Sequence, residues 1–292
     1  MMSFSLQFVL VLIGTFMIAL VLTPLVRLFS FKIDAVDYPN ARRINTKPMP
    51  SAGGLAIVIA FSIATLVFIP MLTSTTAPIK SYLSYTLPVV GAGWIIALTG
   101  LIDDVKELSA KKKMIGILLA ASLVWFLTDF RLNDFKIPFG GPLLHFEPWL
   151  SYLLTVIWIV AITNAVNLID GLDGLVSGVS IISLVTMGIV SYFFLPVPNL
   201  FLTMTIFVLV ASIAGFFPFN YHPAILYLGD TGALFIGFMI SVLSLQGLKN
   251  ATAVAVVTPM IILGVPITDT FLAIVRRTLS GQKFYQPDRH HL

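Results

Sequence analysis

The chain carries nine stretches of about twenty mainly apolar residues, roughly 4–29, 53–72, 83–102, 114–128, 148–166, 176–195, 199–216, 232–248 and 253–275. A helix needs about that length to cross the hydrocarbon core of a bilayer. Backbone that crosses lipid must also satisfy its own hydrogen bonds. The expected fold is therefore all-α: a polytopic integral membrane protein of about nine transmembrane helices, a single domain over 1–292. Only 10% of the residues are charged, against about 25% in a soluble domain. That excludes an ordinary globular protein, a disordered chain and a coiled coil. Cysteine is absent, which excludes disulfides, thiolate nucleophiles and iron–sulfur clusters. A net charge of +4 is too small to argue for nucleic acid. The first stretch is long, lacks a basic n-region and meets its first basic residue, Arg27, only near its end, so it reads as a span and not as a cleaved signal peptide.

Nine spans divide the loops into two sets. One holds 30–52, 103–113, 167–175, 217–231 and the tail from Arg276. With the flanking Arg27 this set has thirteen Lys and Arg; the other set has four. The positive-inside rule predicts that the first set is cytoplasmic and the N-terminus outside. Nine of the thirteen acids lie in the first set too. Loops that served only as topology signals would not need them.

Asp103-Asp104 ends the third span. Adjacent carboxylates repel unless a cation or proton shares them, and Mg²⁺ is a usual companion; the plain alternative is a helix end meeting water. Lys111, Lys112 and Lys113 follow. At least two read as membrane-flanking charge, while the third, beginning the next span, can point back to the acids and carry phosphate. The strongest local signal is Asn164-Ala-Val-Asn167-Leu-Ile-Asp170-Gly-Leu-Asp173-Gly. On a straight helix a three-residue spacing drifts by about 60° per step, so the four polar groups cannot share a face. Gly171 and Gly174 allow the helix to end there and turn the carboxylates to one centre.

Tyr227-Leu-Gly229-Asp230-Thr-Gly232 precedes the eighth span. Asp230 or Thr231 can be an N-cap; equally, Asp230 can ligate a metal at the positive end of a helix. Tyr227 can stack on a base or anchor the interface. The tail Asp288-Arg289-His290-His291 can hold a diphosphate, act as acid and base, or meet anionic lipid. The loop from Asp37 through Arg42-Arg43 to Pro48-Met-Pro50-Ser-Ala-Gly53-Gly54 reads as a shaped loop in which the arginines can clamp phosphate. Asp269 lies inside the ninth stretch, as a functional group or an ion-pair partner of Arg276. Carboxylates, amides and cations from several loops thus gather on one face, as phosphoryl transfer needs. Neither a P-loop nor a dinucleotide fingerprint is present.

Five ordered motifs, Pro39-Asn40-x-Arg42…Pro48-x-Pro50-x-x-Gly53-Gly54, Asp103-Asp104, Asn167-x-x-Asp170-Gly-x-Asp173-Gly-Leu, Gly229-Asp230-x-Gly232 and the His-rich tail, are together highly specific. They resemble the polyprenyl-phosphate N-acetylhexosamine-1-phosphate transferases along nearly the whole chain. The resemblance implies transfer of a sugar-1-phosphate from a UDP-sugar to undecaprenyl phosphate, with release of UMP. It implies Mg²⁺, with Mn²⁺ an alternative, in a bacterial plasma membrane, and is compatible with a homodimer. Asp230 would ligate the metal, with Asn167 or Asp170 beside it. Asp173 would meet the uracil, with Tyr227 stacked on it. Lys113, Arg289 and His290 would hold phosphates, and Arg42, Asn164 and His291 would touch substrate. Asp103 and Asp104 would sit where the lipid phosphate attacks; Asp170 and His290 join them as catalytic candidates.

Within the family, the first loop and the Asp-Arg-His-His tail resemble the branch using UDP-GlcNAc, which starts teichoic-acid and surface-polysaccharide assembly. That branch carries His where this chain has Asn45. Family members also continue with more His and further spans, ten or eleven in all, so a chain truncated after Leu292 is expected. The alternatives are the phospho-MurNAc-pentapeptide transferases and, from another class, a transporter. A transporter would place polar groups near mid-membrane in several spans; here they cluster at one surface.

Overall fold

The computed structural model describes residues 4–39, 47–73, 79–136, 141–193 and 200–248. Eight of the nine apolar stretches fall almost wholly in these residues, and their described parts form helices. The ninth, with Asp269, lies outside them. Helix α1 spans Phe4–Lys32. Helix α2 (Gly54–Ile63) runs through a π-helical stretch (Ala64–Phe68) into α3 (Ile69–Thr73). Then come α4 (Ile79–Lys106), α5 (Ala110–Leu127), α6 (Pro148–Leu168), α7 (Leu175–Phe193), α8 (Leu200–Asn220) and α9 (Gly229–Leu248). Among the described residues, six spans, within α1, α2–α3, α4, α6, α7 and α8, are long and apolar enough to cross a membrane; Gly229–Leu245 is a shorter apolar helix. The chain is a multi-pass membrane protein.

The helix ends run past the apolar stretches at one end of the bundle. Helix α4 continues to Lys106 and α5 begins at Ala110, so the polar 103–113 segment is mostly helical. Helix α8 likewise continues to Asn220. Hydropathy reports the lipid thickness, whereas these ends are held by polar contacts between helices. The four strands are short. β1 (Val36–Asp37) pairs antiparallel with β2 (Met49–Pro50) at that end. β3 (Asp134–Lys136) pairs with β4 (Leu143–His145) at the other, within a connection expected only to be a loop.

Helix α9 is the axis of the bundle. It packs against α4, α6 and α2, and every residue from Thr231 to Leu245 is buried. A helix apolar all round belongs in such a place. Close packing takes the place of the hydrophobic drive that lipid removes: a Cβ on Gly237 would meet Thr163 Cα of α6 at 2.9 Å. Ser244 Oγ accepts a hydrogen bond from Trp158 Nε1 at 3.0 Å. Helix α1 is peripheral and exposes Val9, Ile13, Met17 and Val21. An apolar stripe of that length suits lipid as its solvent.

The π-helical stretch has a local cause. The fifth residue after Thr65 is Pro70, which has no N–H to donate. The buried Tyr82 hydroxyl of α4 instead donates to Thr65 O at 3.0 Å. Tyr82→Phe removes this donor in a dry environment and is expected to cost about 1 kcal/mol. A melting curve in detergent should show a small downward shift; an unchanged curve would mean that the hydroxyl contributes nothing.

Candidate active site

Four helices end and four begin at the same end of the bundle, because the chain alternates direction from α1 to α9. Between them lies an open cleft of about 1220 Å³. Its walls carry Asp34, Asp37, Asp103, Asp104, Glu107, Asp170, Asp173 and Asp230, against Lys47 and Lys106. Eight carboxylates thus face two lysines on a mainly apolar chain. The acidic motifs, strung along the chain from Asp37 to Asp230, meet here.

Three backbones interlock to build the floor. Gly53 N donates to Tyr227 O at 3.0 Å, Gly54 N to Leu228 O at 2.9 Å and Tyr227 N to Pro50 O at 2.9 Å. The first motif loop thus lies directly on the segment leading into α9. A Cβ on Gly54 would collide with the Gly232 backbone, and one on Gly100 with Asp230 O. Gly229 takes φ +71°, and a Cβ there would collide with Ser51 O. These glycines allow the α2, α4 and α9 backbones to touch.

The N-terminus of α9 is capped from another helix. Asp104 Oδ1 accepts from Asp230 N at 2.8 Å; its Oδ2 accepts from Thr231 N at 3.0 Å and from Thr231 Oγ1 at 2.5 Å. A carboxylate there satisfies orphan N–H groups and complements the helix dipole. Local capping by Asp230 or Thr231, one of the sequence readings, is replaced by this long-range cap. Asp103 faces elsewhere. Its Oδ1 accepts from Leu108 N at 2.5 Å, holding the α4–α5 turn, and its Oδ2 pairs with Lys113 Nζ at 2.6 Å. Adjacent residues on a helix point about 100° apart, so the two carboxylates do not form a twin site.

Lys113 does turn back from α5, while Lys111 and Lys112 are exposed. Its Nζ also pairs with Asp230 Oδ2 at 2.5 Å. The other oxygen, Asp230 Oδ1, accepts from Asn167 Nδ2 at 2.5 Å. Asp230 is therefore the junction of α9, α5 and α6. Helix α6 ends at Leu168, and the turn that follows, with Gly174 at φ +71°, carries Asp170 and Asp173 into the cleft wall. Asn164 is left behind, with its Nδ2 bonded to Val160 O one turn back at 2.8 Å. Tyr227 is half-buried in the wall. Arg42, Arg289, His290 and His291 lie outside the described residues.

Asp170 is the clearest electrostatic anomaly. Its carboxyl is raised well above the usual carboxylate range, first by burial and then by repulsion from Asp230, Asp104 and Asp37. A divalent cation would relieve this. Among the described residues no three His or acidic groups form a complete metal cage. Mg²⁺ does not require one, since it keeps several waters and takes one or two carboxylates plus substrate phosphates. Asp230 and Asp170, with the Asn167 amide, fit that donor set.

A family model described as "Glycosyl transferase family 4" matches residues 86–248, more than half of the chain. The chain belongs to glycosyl transferase family 4. It is 41% identical over 288 residues to the probable undecaprenyl-phosphate N-acetylglucosaminyl 1-phosphate transferase of Bacillus subtilis (strain 168), covering 98% of this chain and 76% of that protein. It is 33% identical over 287 residues to the decaprenyl-phosphate N-acetylglucosaminephosphotransferase of Mycolicibacterium smegmatis, covering 91% and 70%. It is 30% identical over 251 residues to the phospho-N-acetylmuramoyl-pentapeptide-transferase of Staphylococcus saprophyticus, covering 82% and 74%. The family match takes in Asp103-Asp104, the Asn167–Asp173 run and Gly229-Asp230.

The cleft also holds residues that the sequence reading passed over. His222 lies on its wall and bonds to Asp173. Tyr38 is exposed there, its hydroxyl donating to Asp34 Oδ1 at 2.8 Å. A lone His in the 217–231 segment was the available signal for the first. No periodicity or charge run marks it.

Proposed function

We propose that the protein transfers GlcNAc-1-phosphate from UDP-GlcNAc to undecaprenyl phosphate, releasing UMP, at the cytoplasmic face of a bacterial plasma membrane. The carrying observation is 41% identity across 98% of the chain to a relative bearing that name. The acidic cleft at the end of an apolar bundle supports it, because the reaction joins a water-soluble nucleotide to a lipid. The excess of Lys and Arg in the loops at this end supports the orientation.

In this reading an oxygen of the lipid phosphate attacks the β-phosphorus of UDP-GlcNAc. The bond from that phosphorus to the bridging oxygen breaks, and the bridging oxygen leaves on UMP. A phosphate monoester has a second pKa near 6, so the nucleophile is already mostly dianionic and needs little help from a base. Positioning and charge neutralisation carry the catalysis. Asp230, Asn167 and Asp170 would hold Mg²⁺, or Mn²⁺, which neutralises diphosphate charge when bound. Lys113 is placed to exchange its carboxylates for a phosphate. Asp103 positions Lys113, and Asp104 positions the start of α9. Asp173 and Tyr227, both in the cleft wall, would recognise the uracil. Arg42, Arg289, His290 and His291 are proposed as further phosphate contacts.

The test is a donor panel. Purified protein with undecaprenyl phosphate is offered UDP-GlcNAc, UDP-GalNAc and UDP-MurNAc-pentapeptide. UDP-GlcNAc is expected to give UMP and a lipid diphosphate fastest; a higher rate with the pentapeptide donor would assign the chain to peptidoglycan synthesis. EDTA is expected to stop the reaction and excess Mg²⁺ to restore it. Full turnover in EDTA would remove the metal from the account.

A further inference from the structure

Asp173 is held by a segment of chain that the proposed chemistry does not otherwise use. Its Oδ2 accepts from Ala224 N at 3.0 Å and lies 3.0 Å from His222 Nδ1. A carboxylate oxygen has no proton to give, so the His222 Nδ1–H is the donor. Both partners thus converge on one oxygen, leaving the acceptor capacity of Oδ1. The Asp173 side chain is 23% exposed in the cleft wall, whereas His222 is 80% exposed beside it.

The segment is anchored on both sides. Asn220, buried at the end of α8, accepts from Ser177 Oγ of α7 at 2.9 Å, and its Nδ2 donates to Leu226 O at 3.3 Å. His222 and Ala224 are therefore placed by α7, α8 and the segment leading into α9 together. Such support is out of proportion to a loop that merely connects two helices.

We propose that His222 is a positioning residue that fixes which oxygen Asp173 presents to the nucleobase, and so sets the preference for uracil over cytosine. The proposal rests on the uridine-nucleotide reading of the cleft. Uracil offers an N3–H donor, and an oriented carboxylate oxygen accepts it. Cytosine offers a bare N3 acceptor at that position, which the same oxygen repels. A carboxylate free to rotate would lose the oriented acceptor and let water compete for it. A site built around one polar group discriminates through the cost of leaving that group unpaired.

The experiment measures UDP and CDP binding by calorimetry, together with KM and kcat for UDP-GlcNAc, in wild type, His222→Ala and His222→Gln, with melting curves as a check on folding. Wild type is expected to prefer UDP. His222→Ala is expected to weaken UDP binding by about tenfold and to raise KM with kcat little changed. The UDP:CDP ratio should narrow, and His222→Gln, which retains a donor, should recover most of it. An unchanged ratio in His222→Ala, or an equal loss for both nucleotides, would overturn this proposal alone. Wild type that binds neither nucleotide would overturn the uridine reading and this proposal with it.

Discussion

Replacing Asp230 by Asn is expected to lower UMP release by about 10³-fold or more while the protein stays folded. The side chain keeps its shape and one oxygen that can accept from Asn167 Nδ2. The negative charge disappears, and with it the group joining Lys113 of α5 to the start of α9. The backbone of residue 230 remains capped by Asp104. Removing a charge at the junction of three helices therefore separates chemistry from folding. Turnover of purified variant against wild type, with both melting curves, decides the matter; wild-type turnover would remove Asp230 from the site.

Gly229→Ala is expected to have the opposite signature, loss of the folded protein. An L-residue at φ +71° costs about 1–2 kcal/mol. The added Cβ would also collide with Ser51 O and lie 2.8 Å from Asp104 Oδ1. Ser51 O is backbone, and Asp104 is tied to α9 through three hydrogen bonds. Neither can retreat cheaply, so the total should exceed about 4 kcal/mol, in the range reserved for severe lesions. Yield and melting temperature in detergent should both fall sharply. Gly91→Ala is the control, because a Cβ there meets nothing within 4 Å. It should match wild type or exceed it slightly, since Ala is the better helix former. A Gly229→Ala variant as stable as this control would refute the interlocked floor.

These two residues also show what was legible in the sequence. The apolar stretches were, because lipid imposes a length on each helix whatever its neighbours. Asp230 was legible as a site residue from Gly-Asp-x-Gly, and Lys113 as the lysine that could turn back. The capping role of Asp104 was not. It depends on how α4 packs on α9, 126 residues away along the chain, and no local pattern encodes that. The reason for Gly53-Gly54 was hidden likewise, since it appears only when the first loop lies on Tyr227–Gly229. Asn164, a substrate contact by resemblance alone, bonds through its Nδ2 to Val160 O of its own helix, a contact that the motif spacing does not reveal. His222 escaped because its partner, Asp173, is 49 residues away.

In the proposed reaction the sugar travels with its phosphate. Donor labelled with ³²P in the β-phosphate is the direct probe: purified protein is incubated with labelled UDP-GlcNAc and undecaprenyl phosphate, and lipid and aqueous phases are separated. Label is expected in the lipid and unlabelled UMP in water, in equal amounts. Labelled UDP in water with unlabelled lipid would show transfer of the sugar alone and contradict it.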